Sequence, residues 1–160
     1  MAQLKIKFKK LDPNARIPTA AKKDDVGFDL FPPKSNAQSA FYALPPGVTK
    51  IPTGIAFADY FEDLSIYGPR RHGKLYAKIE GRSGLASKGI FPVGGIIDLG
   101  YRGDITVMLA NITGQIHALD LNKAIAQLVI YNIENDVEFE VVDDVKETER
   151  GDKGFGSSDQ

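Results

Sequence analysis

The sequence predicts an all-β domain, a sandwich or barrel built from many short strands. Two observations support this fold class. Glycine occurs 16 times and proline 9 times, and both punctuate the chain at short intervals between Pro13 and Gly114. The runs between them alternate apolar and polar residues, which is the pattern of strands that bury one face. Short alternating runs with regular turn signals are typical of all-β sandwiches and barrels.

Four runs alternate clearly enough to be predicted as strands. Residues 115–150 contain no glycine or proline, so a helix is the alternative there, but the β-branched run 125–133 favours strands. Residues 85–88 are the best candidate for a short helical turn. The inward-facing residues of the four runs are, in chain order, Leu4, Ile6 and Phe8; Leu75, Ala77 and Ile79; Ile105, Val107 and Leu109; and Val137, Phe139 and Val141.

The composition narrows the function classes. The chain has 160 residues, typical of one domain, and its net charge of −1 argues against a nucleic-acid binder. The lack of cysteine excludes disulfides, thiol nucleophiles and thiolate metal sites, and two histidines are too few for a multi-histidine zinc site. No segment has a signal-peptide core or the about 20 apolar residues of a membrane span. We therefore expect a cytoplasmic protein with no nucleic-acid or membrane partner.

The chain divides into one domain and a tail. We expect a β-barrel domain over residues 1–149 and a flexible closing arm over residues 150–160. The arm is small and polar with one aromatic residue, and such a composition buries too little surface to stay ordered alone. Residues 58–73 have the mixed aromatic and charged composition of a surface insertion. We interpret this insertion as a long hairpin loop, with a site for a protein partner as the alternative.

Residues 81–85, Gly-Arg-Ser-Gly-Leu, follow a predicted strand and open the predicted helical turn. Free backbone amides beside Arg82 and the Ser83 hydroxyl are suited to binding an anion. An ordinary turn is the alternative interpretation. The glycine spacing fits neither a P-loop nor a dinucleotide-binding fingerprint.

A second glycine-rich cluster covers residues 94–104. Ile96 and Ile97 indicate a strand, and residues 99–100 indicate a hairpin tip. The paired glycines before the strand allow a ligand to approach the backbone closely. Asp98, where the strand meets the turn, either caps the turn or serves as a general base.

Two polar residues lie among apolar neighbours. Asp29 is part of Val-Gly-Phe-Asp-Leu at residues 26–30, and an inward-facing acid needs a partner or a metal. Gln127 is part of Ile-Ala-Gln-Leu at residues 125–128. The Gln127 side chain is either a hydrogen-bonded amide in the core or a contact to a substrate, and the sequence is compatible with both.

These segments, in this order, resemble the five motifs of the trimeric dUTP pyrophosphatase (dUTPase) family. Each motif is weak alone, but the second, third and fifth are specific together, and the match covers nearly the whole chain. The matching segments are residues 26–30 (VGFDL), 81–89 (GRSGLASKG), 95–111 (GIIDLGYRGDITVMLAN), 125–128 (IAQL) and 150–158 (RGDKGFGSS).

The resemblance implies a distorted β-barrel or jelly roll, a β-clip-like fold, with one short helix and a flexible C-terminal tail. It also implies a homotrimer whose active sites are shared between subunits. The implied reaction is hydrolysis of dUTP to dUMP and pyrophosphate, with Mg²⁺ as cofactor. That reaction keeps uracil out of DNA and supplies dUMP for thymidylate synthesis.

The third motif is implied to carry the catalytic and base-recognising groups. Asp98 would orient and deprotonate the water that attacks the α-phosphorus. Backbone groups of Gly95, Ile96 and Ile97 would hydrogen-bond the uracil edge, reject cytosine and exclude the thymine methyl group. Tyr101 would stack under the deoxyribose and clash with a ribose 2′-hydroxyl.

The other motifs are implied to hold the triphosphate. Arg82, Ser83 and Gly84 would bind phosphates with help from Gln127, and Asp29 would act near Mg²⁺ through water. The tail would close over the substrate as a lid. Its implied contact residues are Arg150, Phe155, Gly156, Ser157 and Ser158.

The sequence departs from the family pattern at a few positions. Ala124 stands where an arginine usually precedes the fourth motif, with Lys123 one place earlier. In the tail, Lys153 replaces a usual glycine, and Asp159 stands where a glycine commonly follows. None of these departures removes the proposed general base.

Three other functions are alternatives. A dCTP deaminase resembles dUTPase in the second and third motifs, but it needs a glutamate at the position of Met108 and an arginine at that of Ser87. A non-catalytic binding or regulatory protein could use the same scaffold, with residues 58–73 as its contact surface. A structural β-sandwich would show no ordering of its tail by a ligand.

Overall fold

The computed structural model describes residues 4–34, 40–61, 73–134, 138–144 and 146–148. Within these ranges the chain forms eleven strands and one short helix, so the all-β prediction is confirmed. No helix in these ranges is both long and apolar enough to span a bilayer. The elements are β1 (Lys5–Lys10), β2 (Phe28–Leu30), β3 (Phe41–Ala43), β4 (Gly47–Pro52), β5 (Ile55–Phe61), β6 (Gly73–Glu80), α1 (Ser83–Ala86), β7 (Ile90–Pro92), β8 (Ile96–Asp98), β9 (Thr106–Asn111), β10 (His117–Leu119) and β11 (Ala126–Glu134).

The strands pair antiparallel in four small sheets, in the orders β2–β11–β6–β8, β4–β9–β7, β1–β5 and β10–β3. Three of the pairings nest along the chain: β4 with β9, β3 with β10, and β2 with β11. Nested pairs arise when one long hairpin is rolled up on itself, which is the jelly-roll arrangement. Strand β8 is an edge strand, because in the described residues it pairs with β6 alone.

Alternate residues of the strands fill one hydrophobic core. Ile105, Val107 and Leu109 are fully buried, as their alternation predicts, whereas Thr106 and Met108 are half-buried. Other large side chains that are fully buried are Leu30, Ile51, Ile55, Phe57, Ile90, Ile125 and Leu128.

The predicted helical turn at residues 85–88 is present, but the helix begins two residues earlier. The backbone N–H of Ala86 donates to Arg82 O at 3.0 Å, so the first turn already includes Ser83. The helical turn ends at Gly89, whose φ of +74° lies in the left-handed region that favours glycine at the end of a helix.

The strand predicted from Val137 to Val142 is wrong in its described part, residues 138–142, which form no strand. Phe139 and Val141 are 93% and 98% exposed. An alternating run becomes a strand only where a neighbouring strand supplies hydrogen-bond partners. Within the described part of this chain, no strand pairs with these residues.

The interpretation of residues 58–73 as a hairpin loop is also wrong. Strand β5 pairs with β1, whereas β6 pairs with β11 and β8, so the two strands that flank this segment belong to different sheets. Residues 62–72 lie outside the described residues, and the predicted partner site there lies outside them too.

Candidate active site

A cavity of about 1080 Å³ opens beside β2, the start of β11 and the turn that carries α1. It brings together five of the residues that the sequence singles out. These residues are Asp29, Arg82, Ser83, Gly84 and Gln127.

Strand register explains why Asp29 and Gln127 meet at this cavity. Asp29 of β2 lies directly opposite Gln127 of β11, and Gln127 lies opposite Glu80 of β6. Directly opposed residues point to the same face of a sheet. The buried neighbours Leu30 and Leu128 therefore point into the core while Asp29 and Gln127 point to the cavity side.

Asp29 finds its partner in Arg82. The Arg82 guanidinium donates a hydrogen bond to the Asp29 carboxylate, and the Asp29 side chain is only 16% exposed. The backbone N–H of Asp29 also donates to Thr19 O at 2.8 Å, which fixes the strand end. A charge-assisted pair of this kind orients the guanidinium. Asp29 thus holds Arg82 at the cavity.

Gln127 is hydrogen-bonded to the turn that carries Arg82, Ser83 and Gly84. Its Nε2 donates to the backbone oxygen of Gly81 at 2.9 Å, one position before Arg82. A primary amide has two N–H bonds. Gln127 can therefore anchor the turn with one N–H and reach a ligand with the other.

Ser83 and Gly84 open α1 and are both exposed. The first N–H groups of a helix have no partner within the helix. The backbone N–H groups and the Ser83 hydroxyl at this turn are thus suited to a ligand oxygen in the cavity. The anion site at residues 81–85 stays a prediction, and the exposed position of these groups is compatible with it.

Five further titratable side chains line the cavity without having been predicted as site residues: Asp25, Lys88, His117, Asp120 and Lys123. Lys123 has one long ion pair, with Asp120 at 3.9 Å, and its side chain is 82% exposed. No sequence pattern points to His117, because its place at the cavity depends on the tertiary fold.

Arg16 braces one wall of the cavity. Its guanidinium lies 3.7 Å from the centroid of the Phe31 ring and donates hydrogen bonds to the backbone oxygens of Leu121 and Pro32. Desolvation lowers the pKa of Arg16 from its usual value. The cation thus joins the segment after β2 to the loop before β11, and both segments line the cavity.

A second group of predicted residues lies on β8 and the turn after it. Ile96, Ile97 and Asp98 pair with β6, and Gly95 O accepts a hydrogen bond from the backbone N–H of Ile79 at 2.8 Å. Gly95 has φ +109°, and a Cβ there would come within 3.0 Å of Ile79 O. Only glycine fits this close approach of two strands.

The hairpin tip predicted at residues 99–100 is wrong: a turn is present there, but in the described residues β8 forms no hairpin with a strand after it. The backbone N–H of Tyr101 donates to Asp98 O at 2.9 Å, and Asp98 is exposed at the start of the turn. The chain then continues to β9, which pairs with β4 and β7, so in the described residues no second hairpin strand pairs with β8.

Tyr101 is half-exposed beyond this turn. Its ring packs over Gly103, where any Cβ would overlap the phenol. Farther along, the Asp104 carboxylate accepts hydrogen bonds from the backbone N–H groups of Thr53 and Gly54 at 3.0 and 3.1 Å. Together these contacts fix the chain on both sides of the Tyr101 ring.

The two groups share one sheet but lie far apart within the chain. Asp98 is opposite Tyr76, whereas Gln127 is opposite Glu80, four residues along β6. At about 3.3 Å per residue and about 4.8 Å per strand, the Cα atoms of Asp98 and Asp29 are about 20 Å apart. Asp98 does not line the cavity. One chain therefore does not bring the candidate base to the candidate anion site.

The predicted tail contacts, Arg150, Phe155, Gly156, Ser157 and Ser158, lie outside the described residues. Among the described residues, no three His, Cys, Asp or Glu side chains converge as a metal cage. Mg²⁺ in nucleotide sites is usually held by one or two carboxylates, substrate phosphates and waters. Asp29 lies in the cavity but already accepts from Arg82, so it fits contact with such an ion through water.

The dUTPase family model matches residues 13–159. The chain belongs to the dUTPase family. The deoxyuridine 5'-triphosphate nucleotidohydrolase of Arabidopsis thaliana is 40% identical over 153 residues, which cover 95% of this chain and 81% of that protein. The protein of that name from Orientia tsutsugamushi (strain Ikeda) is 34% identical over 162 residues, covering 97% and 98%.

Solved dUTPase structures agree with this assignment. A Staphylococcus bacteriophage 80alpha dUTPase, solved with dUpNHpp, aligns with a TM-score of 0.70 and 26% identity over 96% of this chain and 98% of the phage chain. The resemblance read from the sequence is therefore confirmed, as are the dUTPase-type fold and the prediction of an enzyme of this family.

Proposed function

We propose that the protein hydrolyses dUTP to dUMP and pyrophosphate in active sites shared between the subunits of a homotrimer. The observation that carries this proposal is the convergence of Arg82, Ser83, Gly84, Gln127 and Asp29 on one cavity. Phosphate oxygens suit one guanidinium, one hydroxyl, one side-chain amide and free backbone N–H groups placed together, and Asp29 holds the guanidinium.

The phosphate end would be held by the cavity. Arg82, oriented by Asp29, neutralises phosphate charge, and the Ser83 and Gly84 N–H groups donate to phosphate oxygens. Gln127 donates its second N–H to a neighbouring oxygen. In-line attack on phosphorus depends on positioning and charge neutralisation more than on covalent chemistry.

The uracil end would be read by the edge strand β8. In an antiparallel pair, alternate residues direct both backbone groups toward the partner strand. Gly95 O accepts from β6, so the N–H and C=O of Ile96 point to the unpaired edge. One donor and one acceptor side by side match the C=O and N3–H of uracil. Cytosine has an acceptor at N3, which supports discrimination against it.

Asp98 would act as the general base. Its exposed carboxylate accepts a proton from water as the water oxygen bonds to the α-phosphorus. The bond from the α-phosphorus to the bridging oxygen breaks, and pyrophosphate leaves. Tyr101, half-exposed and fixed over Gly103, would stack on the deoxyribose and leave no room for a 2′-hydroxyl.

The distance between these two ends supports an assembly of several copies. Because about 20 Å along the sheet separates Asp98 from Asp29 in one chain, we propose that Asp98 serves the cavity of another copy. A closed ring with head-to-tail contacts gives every copy one such site, and three copies agree with the family resemblance. The nearly complete exposure of Phe139 and Val141 further supports an assembly, which would cover this apolar surface.

We also propose Mg²⁺ as the cofactor. The ion would neutralise triphosphate charge and orient the phosphates when bound. Asp29 would contact its water shell, and the tail residues from Arg150 to Ser158 would close over the substrate. The product dUMP would be a substrate for thymidylate synthesis. A cytoplasmic location stays a prediction of the sequence.

The dCTP deaminase alternative receives no support from β9. Met108, at the position where that activity needs a glutamate, places its methyl carbon where a Cβ at Gly94 would come within 2.7 Å. A thioether in this place offers no carboxylate for proton transfer to a base.

The test is pyrophosphate release from dUTP, dTTP, dCTP and UTP, with and without Mg²⁺. We expect turnover of dUTP in preference to the others, and a loss of kcat of at least about 100-fold in Asp98→Asn with little change in KM. Asp59→Asn, a surface aspartate paired with Lys7, is the control and should keep wild-type activity. Ammonia release from dCTP, or an unchanged kcat in Asp98→Asn, would contradict the proposal.

A further inference from the structure

We propose that Gly27 is a positioning residue for the phosphate end of the site. Because glycine has no side chain, the Gln127 amide can occupy the space that a Cβ at position 27 would fill. This inference rests on the proposed function, since it concerns how the cavity holds a triphosphate. Neither the family motif nor the pairing of strands assigns such a role to this position.

The three atoms nearest to a Cβ at Gly27 would all belong to Gln127. A Cβ at Gly27 would lie 2.8 Å from Gln127 Cδ and closer still to Oε1, with Gln127 Cβ at 3.3 Å. Gly27 is buried, and its φ lies outside the left-handed region, so the backbone itself does not require glycine. The Gln127 side chain that packs against Gly27 is therefore what excludes a larger residue there.

The same amide makes the contact that anchors the phosphate turn. With Oε1 lying over Gly27, Gln127 directs Nε2 to Gly81 O at 2.9 Å. Gly81 immediately precedes Arg82, whose guanidinium is held from the other side by Asp29. Two positions in one segment, Gly27 and Asp29, thus fix the turn through two different side chains.

A side chain at position 27 would push the Gln127 amide away from Gly81. The turn would lose one of its two anchors, and the N–H groups of Ser83 and Gly84 would be held less firmly, by the Asp29–Arg82 pair alone. We expect weaker binding of the triphosphate with little direct effect on proton transfer at Asp98, because that group lies at the other end of the sheet.

The test is a double-mutant cycle with Gly27→Ala and Gln127→Ala, read by the affinity for the non-hydrolysable dUpNHpp and by KM and kcat for dUTP. We expect Gly27→Ala to weaken the analogue about tenfold and to raise KM while kcat changes less than about threefold. In the Gln127→Ala background, the same substitution should cost less than about twofold, because no amide remains to be displaced.

Gly114→Ala is the matched control, since a Cβ there meets nothing within 4 Å, and it should match the wild type. If Gly27→Ala alone fails to fold, folding of the double variant supports the proposal, because the second substitution removes the clash. Equal effects in both backgrounds, no effect of Gly27→Ala, or failure of both variants to fold would overturn it. A wild type that does not hydrolyse dUTP would instead overturn the proposed function.

Discussion

The two ends of the proposed site are built in opposite ways. At the cavity, side chains hold one another: Asp29 orients Arg82, and Gln127 anchors the turn at Gly81. On β8, the backbone is fixed by pairing with β6, while the side chains of Ile96 and Asp98 are left exposed. The phosphate end is thus preorganised by side chains, whereas the base end presents its side chains outward.

The largest expected effect concerns whether the two ends come from different chains. Asp98→Asn and Arg82→Ala should each be nearly inactive alone, because each lacks one end. Co-expressed in equal amounts, they should recover about a quarter of wild-type activity, since about a quarter of the sites in mixed closed rings receive both intact ends. Turnover per subunit of the purified mixture measures this recovery.

The control for that mixture pairs Asp98→Asn with the double variant Asp98→Asn/Arg82→Ala, from which no intact site arises. Activity no higher in the first mixture than in the control would show that each site lies within one chain. That result would contradict the proposal that the two ends of the site come from different chains.

The next effect tests preorganisation at the cavity. Asp29→Asn removes the charge that holds Arg82, so the guanidinium is no longer fixed toward the phosphates. We expect KM for dUTP to rise roughly tenfold, in line with the loss of a charge-assisted hydrogen bond. Asp24→Asn, on the exposed loop before β2, should leave KM unchanged in the same steady-state assay. An unchanged KM in Asp29→Asn would show that Arg82 needs no partner.

A smaller effect tests the backbone end. Gly95→Ala forces a side chain into a left-handed backbone conformation and against Ile79 O, so we expect a loss of about 1–2 kcal/mol in the free energy of unfolding. Gly100→Ala, in the adjacent turn, meets nothing within 4 Å and should cost less. Urea denaturation of both variants measures the difference. Equal losses would mean that β8 does not depend on the close approach at Gly95.

The smallest effect concerns the strand between the two ends. Lys78 of β6 donates to Glu80 at 2.5 Å, and this hydrogen bond raises the pKa of Lys78 above its usual 10.5. A raised folded-state pKa stabilises the protein fully below pH 10.5, and the contribution is lost as the pH rises through the folded value. Lys78→Gln should therefore lower Tm slightly at pH 8 but not at the alkaline end.

Thermal unfolding at several pH values measures this difference, with Lys50→Gln on β4 as an exposed control. The pair is half-buried at the surface, and such pairs contribute little. A Tm difference that grows with rising pH would have the wrong sign and would rule out the pair as its cause.

The sequence predicts best where local pattern and burial agree. The alternation of Ile105, Val107 and Leu109 places β9 correctly because the core selects one face of every strand. The same alternation around Phe139 is misleading, since a strand also needs a neighbour, and sequence alone does not show where an edge is free. Hydrophobic alternation therefore predicts where strands lie in the chain better than it predicts which strands pair.

For the candidate site, too, the sequence predicts the residue types better than their contacts. The residue types at Arg82, Gln127 and Asp29 point to an anion, but their mutual contacts depend on the register of β2 against β11. Gly27 carries a signal that could have been used, because a glycine inside a strand pattern often marks a close approach. His117 carries none, as only tertiary pairing brings it to the cavity.

The nesting of the strand pairs has a consequence for how the molecule forms. Asp29 and Gln127 are about 100 residues apart along the chain, and contacts of such high sequence separation form slowly because closing a long loop costs entropy. We expect folding to proceed outward from β4–β9, with β2–β11 joining late. During refolding, backbone amides of β2–β11 should then become protected from hydrogen exchange later than those of β4–β9, and simultaneous protection would contradict this order.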